Sequence, residues 1–143
     1  MNSATKNRGE LTKDELAFIM DLPRVPLLTD EEEVMLLKRY REGDEEALGR
    51  LVVSLFRLMM EKRLEKEIAD DGRSLKERLA ELTSEDKAYI IGLRGIPRPS
   101  AEEDASLLHR ILDDADKEAK IRFVEAHFSH VLEEWKTQFD KEE

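Results

Sequence analysis

The stretch "VPLLTDEEEVMLLKRYREGDEEA", residues 25–47, decides the fold of this chain. Glu32 stands three residues after Thr29, which is the spacing of a capping box at the start of a helix. The acidic run between them also favours a helix start, because negative charge is stabilised at a helix N-terminus. Gly43 is suited to end this helix, and Asp44 to cap the next one. The stretch therefore predicts two consecutive helices joined by a tight turn.

Capping residues and periodicity extend the helical pattern on both sides. Thr12 and Glu15 form another capping box, and the short helix that they begin is predicted to end near Leu22, before two prolines. The charged segment 61–72 is predicted to be a solvated extension of the third helix, ending near Gly72. Helical spacing predicts buried positions at Val34, Leu37 and Tyr40 in the second helix and at Leu48, Leu51, Val52, Leu55 and Met59 in the third.

A second copy of the pattern begins 71 residues later. The segment "ELTKDELAFIMDLPRVP" (10–26) aligns without gaps with "ELTSEDKAYIIGLRGIP" (81–97). At this offset 12 of the 30 positions from Glu10 to Arg39 are identical, and after one inserted residue the match resumes. Amphipathic periodicity explains matched leucines, but it does not explain a matched threonine cap, a matched proline and a matched pair of glutamates. We therefore predict a tandem duplication.

The predicted fold is all-α, with two related three-helix units packed into one compact domain. The predicted divisions are a flexible N-terminus (1–9), a first unit (10–72), a connector (73–80) and a diverged second unit (81–143). Pro26 and Pro97 are expected to set the angle between the first two helices of each unit. The long helices, about 45–66 and 117–139, are predicted to meet across the centre through Phe56, Met59, Phe128, Val131 and Trp135.

Composition narrows the classes of function. The net charge of −10 disfavours binding to a phosphate backbone, and the absence of cysteine excludes disulfides and thiolate metal sites. No apolar run approaches the roughly 18 residues that span a membrane, and no signal peptide opens the sequence. We therefore expect a cytoplasmic protein with weak or no independent nucleic-acid binding and no membrane association.

No residue pattern indicates a catalytic, cofactor or metal site. The carboxylates of residues 30–33 are explained by the helix dipole. His109, His127 and His130 are interpreted as surface or packing residues rather than metal ligands. The serines and threonines stand at helix caps, without a nucleophile elbow or a phosphate-binding loop. We predict that the protein is not an enzyme and needs no cofactor.

The segment "FIMDLPRVPLLTDEEEVMLLKRYREGDEEALGRLVVSLFRLMM" (18–60) resembles region 1.2 and the start of region 2.1 of primary bacterial sigma factors. In that family a Tyr-Leu helix leads through an Ile/Val-Pro-Leu-Leu-Thr turn into a Glu-rich helix and then a Gly-Asp joint. Here residues 25–29 match the turn, residues 31–33 match the acidic start, and Gly43 and Asp44 match the joint.

The resemblance is partial. In the second copy only Ile96, Pro97 and Ser100 remain of the turn, and Met20 replaces an arginine that follows the Tyr-Leu pair of the family. Nothing resembles the segment that grips the polymerase clamp or the aromatic-basic helix that opens promoter DNA. The chain is therefore expected not to act as a complete sigma factor.

The resemblance implies a non-catalytic transcription accessory or regulatory protein that engages RNA polymerase core, a sigma factor or adjacent promoter DNA. The alternative is a helical protein–protein interaction module unrelated to transcription. The positions that match the Tyr-Leu helix of the family are candidates for partner binding: Phe18, Ile19 and Met20 in the first copy and Tyr89 and Ile90 in the second. Arg39, Tyr40 and Arg57 are expected to be exposed handles, because Arg and Tyr often anchor interfaces.

The basic cluster of Lys38, Arg39 and Arg41 has two readings. It suits a phosphate or an acidic partner helix, and it also suits a solvated helix face that pairs with preceding glutamates of the same chain.

Overall fold

A computed structural model describes the backbone of residues 10–67 and 75–142 and the side chains of residues 10–64 and 75–135. No strand occurs in these ranges, and the predicted all-α class is confirmed. The predicted flexible N-terminus (1–9) and the predicted helix end at Gly72 lie outside the described residues. The helices are α1 (Lys13–Asp21), a 3₁₀ turn (Leu22–Arg24), α2 (Asp30–Arg41), α3 (Glu45–Glu67), α4 (Leu75–Ala80), α5 (Ser84–Leu93), α6 (Ala101–Asp114) and α7 (Lys117–Glu142).

The predicted capping boxes form at the starts of α1 and α2. The Glu15 backbone N–H donates to the Thr12 hydroxyl oxygen at 3.1 Å, and the Thr12 N–H donates to the Glu15 carboxylate at 2.8 Å. Thr29 and Glu32 repeat this arrangement at 3.1 and 3.0 Å. Each box satisfies two backbone N–H groups that the helix itself leaves without partners.

The joint between α2 and α3 depends on a left-handed residue and an aspartate. Gly43 has φ of +106°, which permits the reversal at the end of α2. Asp44 caps α3, because its Oδ1 accepts from the N–H groups of Glu46 and Ala47 at 3.1 and 3.2 Å. Arg39 binds the other carboxylate oxygen of Asp44 at 2.9 Å.

The joint between α6 and α7 has the same construction. Ala115 is left-handed, with φ of +51°, and Asp116 Oδ1 accepts from the N–H of Ala119 at 3.1 Å. Arg110 binds the other oxygen of Asp116 at 2.6 Å. Because alanine in this conformation is strained relative to glycine, Ala115 keeps the geometry at an energetic cost.

The two long helices, α3 and α7, pack against each other at the centre, as predicted. The rings of Phe56 and Phe128 lie 4.8 Å apart, and Phe18 of α1 lies 5.6 Å from Phe128. Trp135 packs against Phe18 with its ring centroid 5.5 Å away. Such tilted and edge-on contacts between aromatic rings stabilise the fold beyond the apolar area that the rings bury.

Two predictions about the helices need correction. Val34 is 41% exposed, whereas Leu36 shares the buried face with Leu37. The apolar stripe of α3 does not end at residue 60, because Leu64 stands one turn after buried Met60 and is buried as well. The helix α4 lies within the segment 73–80, for which the sequence predicted a connector without assigning it a structure.

Two buried carboxylates are paired across the molecule. Glu15 of α1 is 2% exposed, and Arg94, which follows α5, binds it through Nε at 2.7 Å and Nη2 at 2.5 Å. Asp86 of α5 is fully buried, and Arg63 of α3 donates to it from Nε at 2.6 Å. A buried carboxylate is tolerated when it is paired and hydrogen-bonded, and each of these obtains its cation from a distant segment.

Candidate partner-binding surface

Most apolar positions predicted to bind a partner belong to the core. Phe18, Ile19 and Ile90 are fully buried, because α1 and α5 turn their apolar faces inward against the long helices. Met20 and Tyr89 are half-buried and pack against this core. The first three side chains are therefore inaccessible to a partner in this fold, and their role as contact residues stays a prediction without support from their exposure.

Tyr89 is held by neighbours on both long helices. Its hydroxyl donates to the Glu125 carboxylate of α7 at 2.5 Å, and the guanidinium of Arg63 in α3 lies 4.6 Å from its ring centroid. The second contact has the geometry of a cation–π interaction. Tyr89 thus links α5 to both long helices.

Arg57 is a structural residue rather than an exposed handle, which corrects the prediction. Its Nη1 donates to the carbonyl oxygens of Pro23, at 3.2 Å, and of Val25, while its Nε binds Glu61 at 2.9 Å. Ser54, one helical turn earlier, donates to the carbonyl oxygen of Pro26 at 3.0 Å. Together these side chains fasten the turn before α2 onto the surface of α3.

Tyr40 is likewise buried, at 8% exposure, and is not a handle. Its hydroxyl donates to Asp104 of α6, and the other oxygen of Asp104 lies 2.9 Å from Nε2 of fully buried His127. Among the described residues, Nδ1 of His127 has no hydrogen-bond partner. Because ionised Asp104 only accepts, His127 carries a proton on Nε2.

The charges in this network shift two pKa values in opposite directions. Burial and the hydrogen bond to Asp104 raise the pKa of Tyr40 to about 12. Burial also acts to raise the pKa of Asp104, but hydrogen bonds from His127 and Tyr40 outweigh it and hold that pKa below its ordinary value. The network therefore favours neutral Tyr40 beside ionised Asp104.

Arg39 is the predicted handle that is exposed. Its guanidinium binds Asp44, which follows it in the chain, rather than one of the preceding glutamates. Lys38 and Arg41 are also exposed. The end of α2 therefore presents cations to solvent, and this finding leaves both readings of the basic cluster open.

A cluster of charged side chains lies beside the α3 N-terminus. Nε2 of His130 lies 3.7 Å from Glu45 and 3.2 Å from Glu134, and one ligand atom from each of the three lies within 4.8 Å of the others. Arg98 already occupies the cluster, because it donates to His130 at 3.0 Å and to Glu45 at 2.9 Å. A metal ion bound by these three residues would have to displace that guanidinium.

A groove of about 360 Å³ with a largely apolar lining lies between the turn, α3 and α7, and we name it the turn groove. Its floor is apolar and includes Val25, Pro26, Leu28, Val53, Val131 and Trp135. Its rim carries Glu45, Glu46, Glu134 and Arg50. None of the predicted contact residues lines this groove.

Stability is expected to fall as the pH drops below about 4.5. Hydrogen bonds from Arg94 and Thr12 outweigh burial and lower the pKa of Glu15 below its ordinary 4.5, as His127 and Tyr40 do for Asp104. When the pKa of a carboxyl group is lower in the folded than in the unfolded protein, the group stabilises the fold at pH values above its unfolded-state pKa. This contribution to the free energy of unfolding is lost as the pH falls through the folded-state pKa. Thermal melts between pH 7 and pH 3 measure the effect. Asp104→Asn should melt lower at pH 7 and give a flatter profile; parallel profiles would rule out a contribution from Asp104.

Both tyrosines of the chain are expected to resist ionisation at pH 10. Burial and hydrogen bonds to carboxylates raise the pKa of Tyr40 to about 12 and the pKa of Tyr89 further. Because unfolded tyrosine ionises near pH 10, stability is lost as the pH rises above that value. An absorbance titration at 295 nm should show no tyrosinate until about pH 11 or until unfolding. Half-ionisation at pH 10 with helicity intact would contradict the buried hydrogen bonds.

The sequence contained weak signals for this network. His127 follows Phe123 at i+4 on an apolar face, so its burial is readable from helical periodicity. Asp104 lies in the first turn of α6, where an acidic residue has a sufficient local explanation. No local pattern connects Asp104 with Tyr40, which stands 64 positions away.

Comparison with known families gives a match for one segment of the chain. Residues 20–46 match the model of the Sigma-70 factor region 1.2. The match spans the turn, α2, the joint and the first residues of α3, and it covers less than a fifth of the 143-residue chain. The comparison with curated proteins gave no match, and neither did the comparison with solved structures. Residues 20–46 thus form a sigma-like region. The match covers neither the following segment, for which a resemblance to the start of region 2.1 was predicted, nor the second half of the chain.

Proposed function

We propose that this protein is a non-catalytic transcription accessory or regulatory protein that engages bacterial RNA polymerase, a sigma factor or the adjacent promoter DNA. The observation that carries the proposal is the match of residues 20–46 to sigma region 1.2. Its turn is fastened to α3 by Arg57 and Ser54, so the region has a fixed shape that a partner can recognise. A preorganised surface binds at a lower entropic cost than a flexible one.

Protein contact is the more favourable mode of engagement. The net charge of −10 repels a phosphate backbone, and four of the carboxylates that contribute to it stand together in the first turn of α2. An acidic surface is complementary to a basic groove on a partner protein, where it raises the association rate. Free promoter DNA is therefore expected to bind weakly.

We further propose that the two halves arose by duplication. The matched joints support this proposal: Gly43 and Asp44 in one half correspond to Ala115 and Asp116 in the other, each with a left-handed residue and an aspartate cap. Under this proposal the second half supplies the packing that the sigma-like half needs.

The test measures binding of the full chain to core polymerase, to holoenzyme and to promoter DNA alone, at moderate salt. Binding to either polymerase form, with weak binding to free DNA, is expected. Tight binding to DNA without polymerase affinity would contradict the proposed mode. Binding to none of the three would refute the transcription role and favour a helical interaction module of another kind.

A matched pair of variants tests whether the sigma-like region makes the contact. Arg39→Glu and Arg110→Glu each remove an arginine that binds the capping aspartate of a joint, at similar exposure, so their costs in stability should be alike. Polymerase affinity should fall for Arg39→Glu and remain unchanged for Arg110→Glu. Equal losses would indicate that the contact lies outside residues 20–46.

A further inference from the structure

Gly49 lacks a side chain, and this keeps the turn groove open, although no close packing at this position requires a glycine. It lies inside α3 and lines the groove, and a Cβ built on it meets no atom within 4 Å. Glycine inside a helix is less stable than alanine, and here neither close packing nor a positive φ demands it. The fold would be helped by a side chain at this position, so the absence of one needs another reason.

The second half shows what the position tolerates. In the internal alignment Ile121 of α7 corresponds to Gly49, and its side chain is 44% exposed. A branched apolar residue is therefore compatible with this position of a long helix. At Gly49 the same side chain would stand in the turn groove.

The lining of the groove defines the chemistry of an occupant. The floor presents apolar side chains, including the half-buried ring of Trp135. The hydroxyl group of Ser54 in the lining already has a partner, because it donates to the carbonyl oxygen of Pro26. The rim carries three carboxylates, from Glu45, Glu46 and Glu134, against one guanidinium, from Arg50. Arg98 pairs with Glu45, which leaves a negative excess at the rim.

We propose that the turn groove binds a protein segment that inserts a bulky apolar side chain and carries Lys or Arg on either side of it. An apolar anchor in a pocket surrounded by complementary charge is the usual form of an interface hot spot. The negative rim opposes nucleic acid, and the floor lacks the convergent free polar groups that orient a small molecule. The proposal rests on the proposed function only for the identity of the partner, a basic apolar segment of the polymerase or of a sigma factor.

The experiment uses a tryptophan-free helical peptide with leucines on one face and flanking lysines, and a counterpart with glutamates in place of the lysines. Trp135 is the single tryptophan of the chain and lies in the groove floor, so its fluorescence reports occupancy directly. Wild-type protein should bind the lysine peptide saturably and the glutamate peptide at least tenfold more weakly. Equal binding of the two peptides, or of neither, would overturn the proposal.

A filled-groove variant supplies the decisive comparison. Gly49→Leu should weaken binding of the lysine peptide at least tenfold while melting no lower than wild type, because α3 gains a helix-favouring residue. Gly92→Leu is the matched control, since Gly92 also lies in a helix with no atom within 4 Å of a Cβ, and it does not line this groove. It should bind like wild type. Unchanged binding by Gly49→Leu would overturn the groove as the site.

The same variants with polymerase separate the two proposals. If the wild-type protein binds polymerase and Gly49→Leu abolishes that binding, both the transcription role and the turn groove as its binding site are supported. Polymerase binding that Gly49→Leu leaves intact overturns the groove and keeps the proposed function. A charge-selective peptide interaction that Gly49→Leu abolishes, without any polymerase binding, supports the groove and refutes the transcription role.

Discussion

Replacing Arg94 by methionine is expected to lower the free energy of unfolding by about 3–5 kcal/mol, the usual cost of breaking a buried ion pair by removing one partner. Glu15 is 2% exposed and receives two hydrogen bonds from Arg94. Methionine keeps much of the aliphatic packing but leaves the carboxylate buried without its cation. Denaturant unfolding at pH 7 measures the loss.

Two controls identify the cause of this effect. Arg39→Met breaks an exposed pair with Asp44 and should cost no more than about 1 kcal/mol. Adding Glu15→Gln to Arg94→Met should restore part of the loss, because it removes the buried charge. The deficit of Arg94→Met should also narrow as the pH falls and Glu15 is protonated. A deficit independent of pH, or no rescue, would show that lost packing rather than charge is responsible.

Phe128→Ala is expected to cost about 3–5 kcal/mol, the range for removing a buried aromatic ring. Its ring lies 4.8 Å from Phe56 and 5.6 Å from Phe18, so the change opens a cavity between α1, α3 and α7. The melting temperature and the denaturant midpoint should both fall. Because Trp135 packs on Phe18, its emission should shift towards that of a more solvated indole.

Ile121→Ala is the matched control on the same helix. Ile121 is largely exposed, so truncating its side chain should change stability by no more than about 0.5 kcal/mol. A loss of comparable size at both positions would mean that helix propensity, rather than the aromatic cluster, dominates the effect. Similar stability of Phe128→Ala and wild type would contradict the central packing of α3 against α7.

The features that the sequence predicted correctly are those with local causes. Thr12, Thr29 and Asp44 cap helices through atoms two or three residues away, so their geometry follows from spacing alone. The contact of α3 with α7 follows from two long apolar stripes that the short helices do not cover completely. Local chemistry and helical period were sufficient for the starts of these helices and for the packing of α3 against α7.

The predicted exposure of two candidate contact residues, Tyr40 and Arg57, was wrong for a physical reason. Tyr40 and Arg57 were assigned by residue type, but their polar atoms are satisfied by Asp104 and by the carbonyl oxygens of the turn. These partners stand 64 and 34 positions away in the chain. Hydrogen bonds between residues that are far apart in the sequence produce no periodic pattern that could reveal them. A resemblance to another family indicates which residues correspond, but it does not show whether their side chains are exposed in this fold.

The exchange of buried charges between the halves has a consequence for cooperativity. Glu15 obtains its cation from Arg94, and Asp86 obtains its cation from Arg63, so each half encloses a carboxylate whose counter-ion belongs to the other. Cutting the chain between the halves would remove Arg94 from Glu15 in one fragment and Arg63 from Asp86 in the other. The halves are therefore expected to unfold in one transition and to complement each other as separate fragments, and neither should serve as a transplantable module.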